Sequence, residues 1–279
     1  MQHTVPIFLR DHIEALDAQL IECLESLSPE DWHRQSIAPK WTVKDIAAHL
    51  LDGNLRTLSM LRDGHFGESP KDPDSYQGMV AFLNRLNADW VKAMRRLSPS
   101  VMIELLKISG PAYCSYLQSL DPFAKAAFSV DWAGENGSLN WFHIAREYTE
   151  KWHHQQQIRL AVGQDAILYE DHWYQPYLDT SIRALPHHFR TITGKEGDLI
   201  QLSFIGETEK TWYLLFTKNK WELGTDVVEN AHTLVQIPDS IAWRVFTKGI
   251  RREEAIARSQ IHGNETLGKH IFSLIAVMA

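Results

Sequence analysis

The sequence predicts a mainly α-helical protein in which a helical bundle is followed by a smaller α+β domain. Long amphipathic segments dominate the first two-thirds of the 279 residues, with apolar side chains at the spacings of one helix face. From Asp198 onward the chain changes to short β-prone runs separated by turn residues. We therefore expect a bundle domain over residues 1–168 and a smaller α+β domain with a short antiparallel sheet over residues 169–279.

The bundle segments carry local start and stop signals. Thr42, with Asp45 three residues later, resembles a capping box at the start of the second helix. Ser28-Pro29-Glu30 also looks like a helix start. Gly110-Pro111 predicts a kink, and Gly163 is suited to a left-handed C-terminal cap. The predicted helices cover about residues 7–27, 42–62, 74–97, 98–120 and 139–162.

The second part of the chain alternates between helical and strand patterns. Lys218-Asn219 separates two β-prone runs by two residues, which predicts a hairpin. The predicted helices are 172–190, 239–248 and 265–278, and the predicted strands are 199–205, 211–217, 220–223 and 232–237.

Composition excludes several classes of protein. A net charge of −7 without a concentrated Lys/Arg run argues against nucleic acid as a partner. No window approaches the length of an apolar membrane span, and the first residues lack the pattern of a signal peptide. The two cysteines, Cys23 and Cys114, are expected to be reduced and buried. We therefore expect a cytoplasmic protein that contacts neither membrane nor nucleic acid.

Glu150 and His154 are the strongest candidates for chemistry. Their spacing of four residues stacks a carboxylate and an imidazole one turn apart on one face of the 139–162 helix. Two such ligands can hold a divalent metal ion if a third arrives from elsewhere, and His49 in the second helix is the candidate. The alternative for His49, which lies among apolar residues, is a hydrogen-bonded core histidine.

The other residues of this helix leave two alternatives open. His143 and Glu147 extend the stripe of Glu150 and His154, which could simply be the solvent face. The opposite side, with Arg146, Lys151 and Gln155, would suit solvent better. His153 is expected to point about 100° away from His154, so that both would not serve the same ion.

Three short segments resemble a known family. Residues 41–50 (WTVKDIAAHL) are similar to a signature of the DinB-like metal-binding four-helix bundles, especially of their mycothiol-dependent maleylpyruvate isomerase branch. Residues 150–154 (EKWHH) resemble the second signature of that branch. Residues 239–249 (DSIAWRVFTKG) are similar to a helix of its smaller α+β domain. Gln157 departs from the branch, which tends to place Asp there.

The resemblance implies a metal centre and a class of reaction. It makes His49, Glu150 and His154 the ligands of a divalent metal, with zinc expected and nickel or another ion as alternatives. The implied function is an isomerase or S-transferase that activates a low-molecular-weight thiol against a small electrophilic substrate. It also implies a homodimer. Arg146 and Arg244 are candidates for contacting a substrate carboxylate, although each could equally be a surface or ion-pairing arginine.

Two other functions remain open at this point. The same ligands would serve a metal-dependent hydrolase with metal-bound hydroxide as nucleophile. A non-catalytic metal- or ligand-binding protein is the other alternative. In that case an apolar ligand would bind in the second domain, where Trp212, Trp221 and Trp243 either line a cavity or pack in the core.

Overall fold

The computed structural model describes residues 5–72, 75–206, 209–226 and 231–277. Within them a helical bundle is followed by a smaller part containing a five-stranded sheet with helices packed on it, as the sequence predicts. The predicted element limits at Asp74 and Met278 lie outside the described residues. No helix within the described ranges is both long and apolar enough to cross a bilayer.

Five long helices form the first part of the chain. They are α1 (Arg10–Glu25), α2 (Val43–Thr57), α3 (Tyr76–Met94), α4 (Pro99–Ser119) and α5 (Asn140–Val162). Both α1 and α2 pack against α4 and α5, and α3 packs against α2. Each predicted helix is therefore present. Pro111 lies inside an unbroken α4, and Gly163 ends α5 with a left-handed φ of 75°. The helix start expected at Ser28 is reduced to one 3₁₀ turn, Asp31–His33.

The second part begins with α6 (Asp171–Ser181) and α7 (Leu185–His188), joined by a 3₁₀ turn where a single helix was expected. The sheet contains β1 (Leu199–Ile205), β2 (Glu209–Thr217), β3 (Lys220–Gly224), β4 (Thr233–Pro238) and β5 (Gln260–His262) in the order β3-β2-β1-β4-β5. The helices α8 (Asp239–Phe246), α9 (Arg252–Ala257) and α10 (Glu265–Ile271) complete it.

Strand pairing in the sheet is antiparallel except at its centre. The predicted hairpin joins β2 to β3 with Thr217 opposite Lys220, and both loop residues, Lys218 and Asn219, have positive φ. The central strands β1 and β4 pair in parallel, with Leu202 beside Val235. The expected short antiparallel sheet therefore contains one parallel pair, because β4 lies on the side of β1 opposite β2 and runs in the same direction as β1.

The larger apolar core draws side chains from both parts of the chain. The ring of Trp152 on α5 stacks on Tyr174 and Tyr177 of α6, with centroids 4.9 and 4.2 Å away. Its centroid is also 6.1 Å from that of Trp243 on α8. A second core cluster fills the space between α1, α2 and α4. The domain limits 1–168 and 169–279 stay a prediction, as does the homodimer.

Candidate metal centre

The start of α2 is fixed by a local device that also places His49. Thr42 and Asp45 form a full capping box, in which the Asp45 N–H donates to Thr42 Oγ1 (3.3 Å) and the Thr42 N–H donates to Asp45 Oδ2 (3.0 Å). His49 follows one turn after Asp45. Tight packing of α2 against α4 and α5 then presents His49 to the bundle interior.

Glu150 and His154 lie one turn apart on α5, as their spacing predicts. His154 Nε2 is 3.7 Å from Glu150 Oε2. The ring of His49 comes from α2 to within 4.6 Å of the His154 ring, centroid to centroid, at an angle of 72°. The structure therefore places His49 beside His154, and His154 beside Glu150. His49 is not in the group of described residues whose ligand atoms all lie within 4.8 Å of one another, and the role of all three residues as ligands stays a prediction.

Trp41 covers this group from the loop before α2. Its ring centroid lies 4.8 Å from that of His49 and 5.8 Å from that of His154. An indole placed against both imidazoles restricts their rotation and keeps water from one side of the site.

The imidazole tautomers are set by hydrogen bonds on Nδ1. His154 Nδ1 is 2.9 Å from Gln157 Oε1, and His153 Nδ1 is 2.8 Å from the carbonyl oxygen of Thr149. Since both partners are acceptors, each Nδ1 carries the proton and donates it. Each Nε2 is then left with a lone pair, the arrangement typical of metal-binding histidines. Gln157, which departs from the resembled signature, thus has a geometric role here.

Burial keeps these imidazoles neutral. It lowers the pKa of His154 to about 3 and that of His153 to about 4. Burial, followed by the charges of His154, Arg56 and His153, holds the pKa of His49 well below its ordinary value. Burial raises the pKa of Glu150, an effect that His154 partly offsets. Neutral imidazoles are the form that binds metal ions, and a cation would favour the ionised form of Glu150.

One unsatisfied buried atom and the chemistry of the donors support the fit of a cation. His49 Nδ1 is buried and has no hydrogen-bond partner among the described residues, although buried polar atoms in folded proteins are almost always paired. One carboxylate and several neutral imidazoles form a donor set that suits zinc and related divalent ions. The residues present therefore fit a divalent cation.

His153 differs from the expectation. Its ring centroid is only 3.9 Å from that of His154. Ligand atoms of Glu150, His153 and His154 all lie within 4.8 Å of one another. The side chains converge although their Cα atoms point in different directions around α5, so the expectation that His153 faces away from the site is wrong.

The far side of α5 is not a solvent face. Lys151 is buried, and its Nζ donates to Asp17 Oδ1 (2.6 Å) and to Asn54 Oδ1 (2.9 Å). The buried Gln155 donates to the carbonyl oxygen of Leu16 at 3.0 Å. The expectation of solvent exposure is wrong because α1 and α2 supply polar partners for this side.

The two predicted arginines have different surroundings. Arg146 is tied to its own helix, with a terminal guanidinium nitrogen 2.8 Å from His143 Nδ1 and 2.8 Å from Glu147 Oε1. Arg244 lies over the Trp243 ring at 5.6 Å, and its buried Nε has no hydrogen-bond partner in the described part of the chain. Both assignments as contacts for a substrate carboxylate stay predictions.

Arg56 is a residue near the site that the sequence interpretation missed. It follows His49 by seven residues on α2 and therefore lies on nearly the same helix face. Its charge contributes to the pKa values of both His49 and Glu150. Its Nε is 3.3 Å from Asp52 Oδ2. The seven-residue spacing from His49 was the signal that could have identified it.

A separate cavity of about 380 Å³ is lined by residues that include Trp141, Arg183 and Trp221. None of the predicted ligands lines it. Trp212 and Trp243 are buried in the core, so of the three tryptophans considered for an apolar site, only Trp221 lines this cavity.

The fold and the clustered side chains define a class: helical-bundle proteins with a histidine–carboxylate group suited to a divalent cation. The model of the mycothiol maleylpyruvate isomerase N-terminal domain family matches residues 13–159, more than half of the chain. The protein belongs to this family, as the resemblance of residues 41–50 and 150–154 implies.

Two solved structures are similar to the chain at 12% sequence identity, each over 85% of this chain and 88% of its own. They are a mycothiol-dependent maleylpyruvate isomerase, with a TM-score of 0.47, and a histidine-to-alanine mutant of such an enzyme, with a TM-score of 0.48. No curated protein matches the sequence significantly.

Proposed function

We propose that this protein is a metal- and thiol-dependent enzyme that isomerises a small electrophilic substrate. The observation that carries the proposal is the approach of His49 on α2 to His154 on α5, which itself lies beside Glu150. Membership of the mycothiol maleylpyruvate isomerase N-terminal domain family supports the same reaction class. His49, Glu150 and His154 would hold the metal ion, with zinc expected.

The chain's own cysteines do not supply the thiol. Both Cys23 and Cys114 are buried. Burial raises the pKa of Cys23, and burial with the charge of Asp17 raises the pKa of Cys114 to about 12. Thiols of this kind are unreactive near neutral pH because the thiolate is the nucleophile. We therefore assign the nucleophile to an added low-molecular-weight thiol such as mycothiol.

A bound divalent ion would lower the pKa of an approaching thiol towards neutrality. The thiolate sulfur then forms a bond to one carbon of a conjugated double bond, and the π electrons move onto the conjugated carbonyl. Rotation about the resulting single bond changes the geometry. Return of the electron pair re-forms the double bond and expels the thiolate, so that no atom is gained or lost.

The protein's contribution is to hold donors and to shield them. Gln157 and the Thr149 carbonyl fix the orientation of the neighbouring imidazoles. Trp41 covers one side of the rings. These contacts hold the donors in place before any ligand arrives, which reduces the reorganisation needed during reaction.

Arg244 is the better placed of the two predicted substrate contacts. A Cβ on Gly249 would lie 3.0 Å from Ile37 Cδ1 and 3.3 Å from Arg244 Cβ. This places α8 beside the loop that leads into Trp41. The guanidinium of Arg146 is already committed to His143 and Glu147, whereas Arg244 retains a free Nε donor in the described structure.

The test is an assay of the zinc-loaded protein on maleylpyruvate with and without mycothiol. Isomerisation that requires the thiol, and that is retained in Cys114→Ala, is expected. Ester or amide hydrolysis without any thiol would instead favour the hydrolase. Failure of the protein to bind a divalent ion would overturn the proposal.

A further inference from the structure

The donor atoms on α5 form a tighter group than the three residues predicted from sequence. Glu150, His153 and His154 each offer a ligand atom, and these atoms lie within 4.8 Å of one another. The His153 and His154 rings are inclined by 38°, with centroids 3.9 Å apart. One turn of a single helix thus presents a carboxylate and two imidazoles to the same small volume.

His153 has the chemical state of a ligand. Its Nδ1 donates to the Thr149 carbonyl oxygen at 2.8 Å, so its Nε2 carries the lone pair. The side chain is only 4% exposed. An Nε2 lone pair of this kind can bind a cation without first losing a proton.

We propose that His153 is itself a metal ligand, together with Glu150, His154 and His49. The inference rests on the proposed metal site and enlarges its donor set to three imidazoles and one carboxylate. In this arrangement α5 supplies three donors from one turn. His49 on α2, whose ring centroid lies 4.6 Å from that of His154, would have to approach further to add the fourth.

A fourth protein donor has a chemical consequence. Catalytic zinc sites commonly have three protein ligands and leave the next position to water or substrate. With four donors, an incoming thiol would need a fifth coordination position or would replace one imidazole. A divalent cation and one carboxylate together carry a net charge of +1. Because imidazoles are neutral, this charge is the same with three imidazole ligands as with two.

The first test counts imidazoles directly in the wild-type protein loaded with one equivalent of zinc. X-ray absorption at the zinc edge distinguishes imidazole from carboxylate scattering. Three imidazoles per zinc are expected. Two imidazoles would overturn this inference and leave the proposed function intact, whereas a protein that binds no zinc would overturn both.

The second test compares two volume-conserving variants. His153→Phe removes the donor nitrogen but keeps a ring in the buried space, and it should weaken zinc binding by at least ~10-fold. His143→Phe removes another buried histidine of the same helix and should leave zinc affinity unchanged. Competition with a chromophoric chelator gives the affinity, and circular dichroism confirms folding. A folded His153→Phe with wild-type affinity would contradict the proposal.

Discussion

The imidazole ring of His49 on α2 lies 4.6 Å from that of His154 on α5, and the two rings are nearly perpendicular, at 72°. Neither helix alone can make this contact, because it depends on the packing of α2 against α5. Burial lowers the pKa of both rings and keeps them neutral, and the neighbouring His154 lowers the pKa of His49 further. Two neutral imidazoles with Glu150 beside them, whose side chain is 35% exposed, form a group of donors that fits a divalent cation.

The first prediction concerns the metal affinity of His154→Ala. Removing this ring deletes one donor and the contact with His49, so zinc affinity should fall by about 100-fold or more, because loss of even an outer-shell partner costs 10–100-fold. Competition with a chelator measures the change. The substitution shortens a side chain that has no role in the α5 backbone, so the helical circular dichroism should persist. Unchanged zinc affinity would contradict the ligand assignment.

The second prediction concerns the buried ion pair between Lys151 and Asp17. Their side chains are only 7% and 9% exposed, and Asn54 relays the contact to Ser109 through a hydrogen bond of 3.2 Å. Asp17→Ala would leave a buried ammonium without its counter-ion. The free energy of unfolding should fall by roughly 3–5 kcal/mol, measured by urea denaturation.

An exposed ion pair provides the control for that prediction. Lys107 and Glu25 contact each other with side chains 48% and 47% exposed. Glu25→Ala should change the free energy of unfolding by less than about 1 kcal/mol, because solvent screens the pair. Equal losses in the free energy of unfolding for Asp17→Ala and Glu25→Ala would show that the buried Lys151–Asp17 pair stabilises the protein no more than an exposed pair does.

The third prediction uses the same substitution at two helix positions. A Cβ added at Gly110 on α4 would lie 2.0 Å from Asp17 Oδ2, so Gly110→Ala must displace the partner of Lys151. It should destabilise the protein by at least about 2 kcal/mol.

A Cβ at Gly53 on α2 meets nothing within 4 Å. Gly53→Ala should therefore stabilise the protein by about 0.5–1 kcal/mol through helix propensity. Thermal denaturation of both variants would reveal the opposite signs, and stabilisation by Gly110→Ala would contradict the packing.

Local signals account for the elements that the sequence predicted well. The capping box at Thr42 and the Lys218-Asn219 turn each involve residues within four positions of one another. The elements that were missed depend on distant partners. Strand β5 has only three residues, and it is defined as a strand only by its pairing with β4. Helix α9 is a helix of six residues that lies between β4 and β5 in the sequence. Such pairings leave no periodicity in the chain itself.

The same distinction applies to the site. The spacing of Glu150 and His154 is local and was readable from the sequence. His49 could be named only as a candidate third ligand, because its approach to His154 depends on the packing of two helices. The exposure of Lys151 was misjudged because its partners, Asp17 and Asn54, lie on other helices. The convergence of His153 depends on side-chain rotation about bonds that Cα geometry does not determine. Spacing alone therefore predicted the adjacency of Glu150 and His154 but not the approach of His153.

The fourth prediction concerns acid stability through His188. Its ring stacks on His270 with centroids 4.2 Å apart, and its Nε2 lies 3.0 Å from the His270 carbonyl oxygen. Burial is the main reason why the pKa of His188 is lowered to about 4. The hydrogen bond to the His270 backbone raises this pKa, whereas the charges of the His270 ring, Arg190 and His187 lower it further. The unfolded chain, with a pKa near 6.5, therefore takes up a proton at a higher pH than the folded protein.

The sign follows from this difference in proton uptake. The contribution of His188 to stability is fully present above pH 6.5 and is lost as the pH falls towards 4. Between pH 7 and 4.5 the loss should be about 2 kcal/mol, less than 1.36 kcal/mol per pKa unit would give for a fully buried ring, because solvent screens this partly exposed imidazole. His188→Phe keeps a ring for stacking but cannot be protonated, so its stability should fall by about 2 kcal/mol less than that of the wild type over this range. His65→Phe, at an exposed position, should follow the wild-type profile. Urea denaturation at each pH gives the comparison, and parallel profiles for His188→Phe and the wild type would show that this imidazole does not contribute to acid sensitivity.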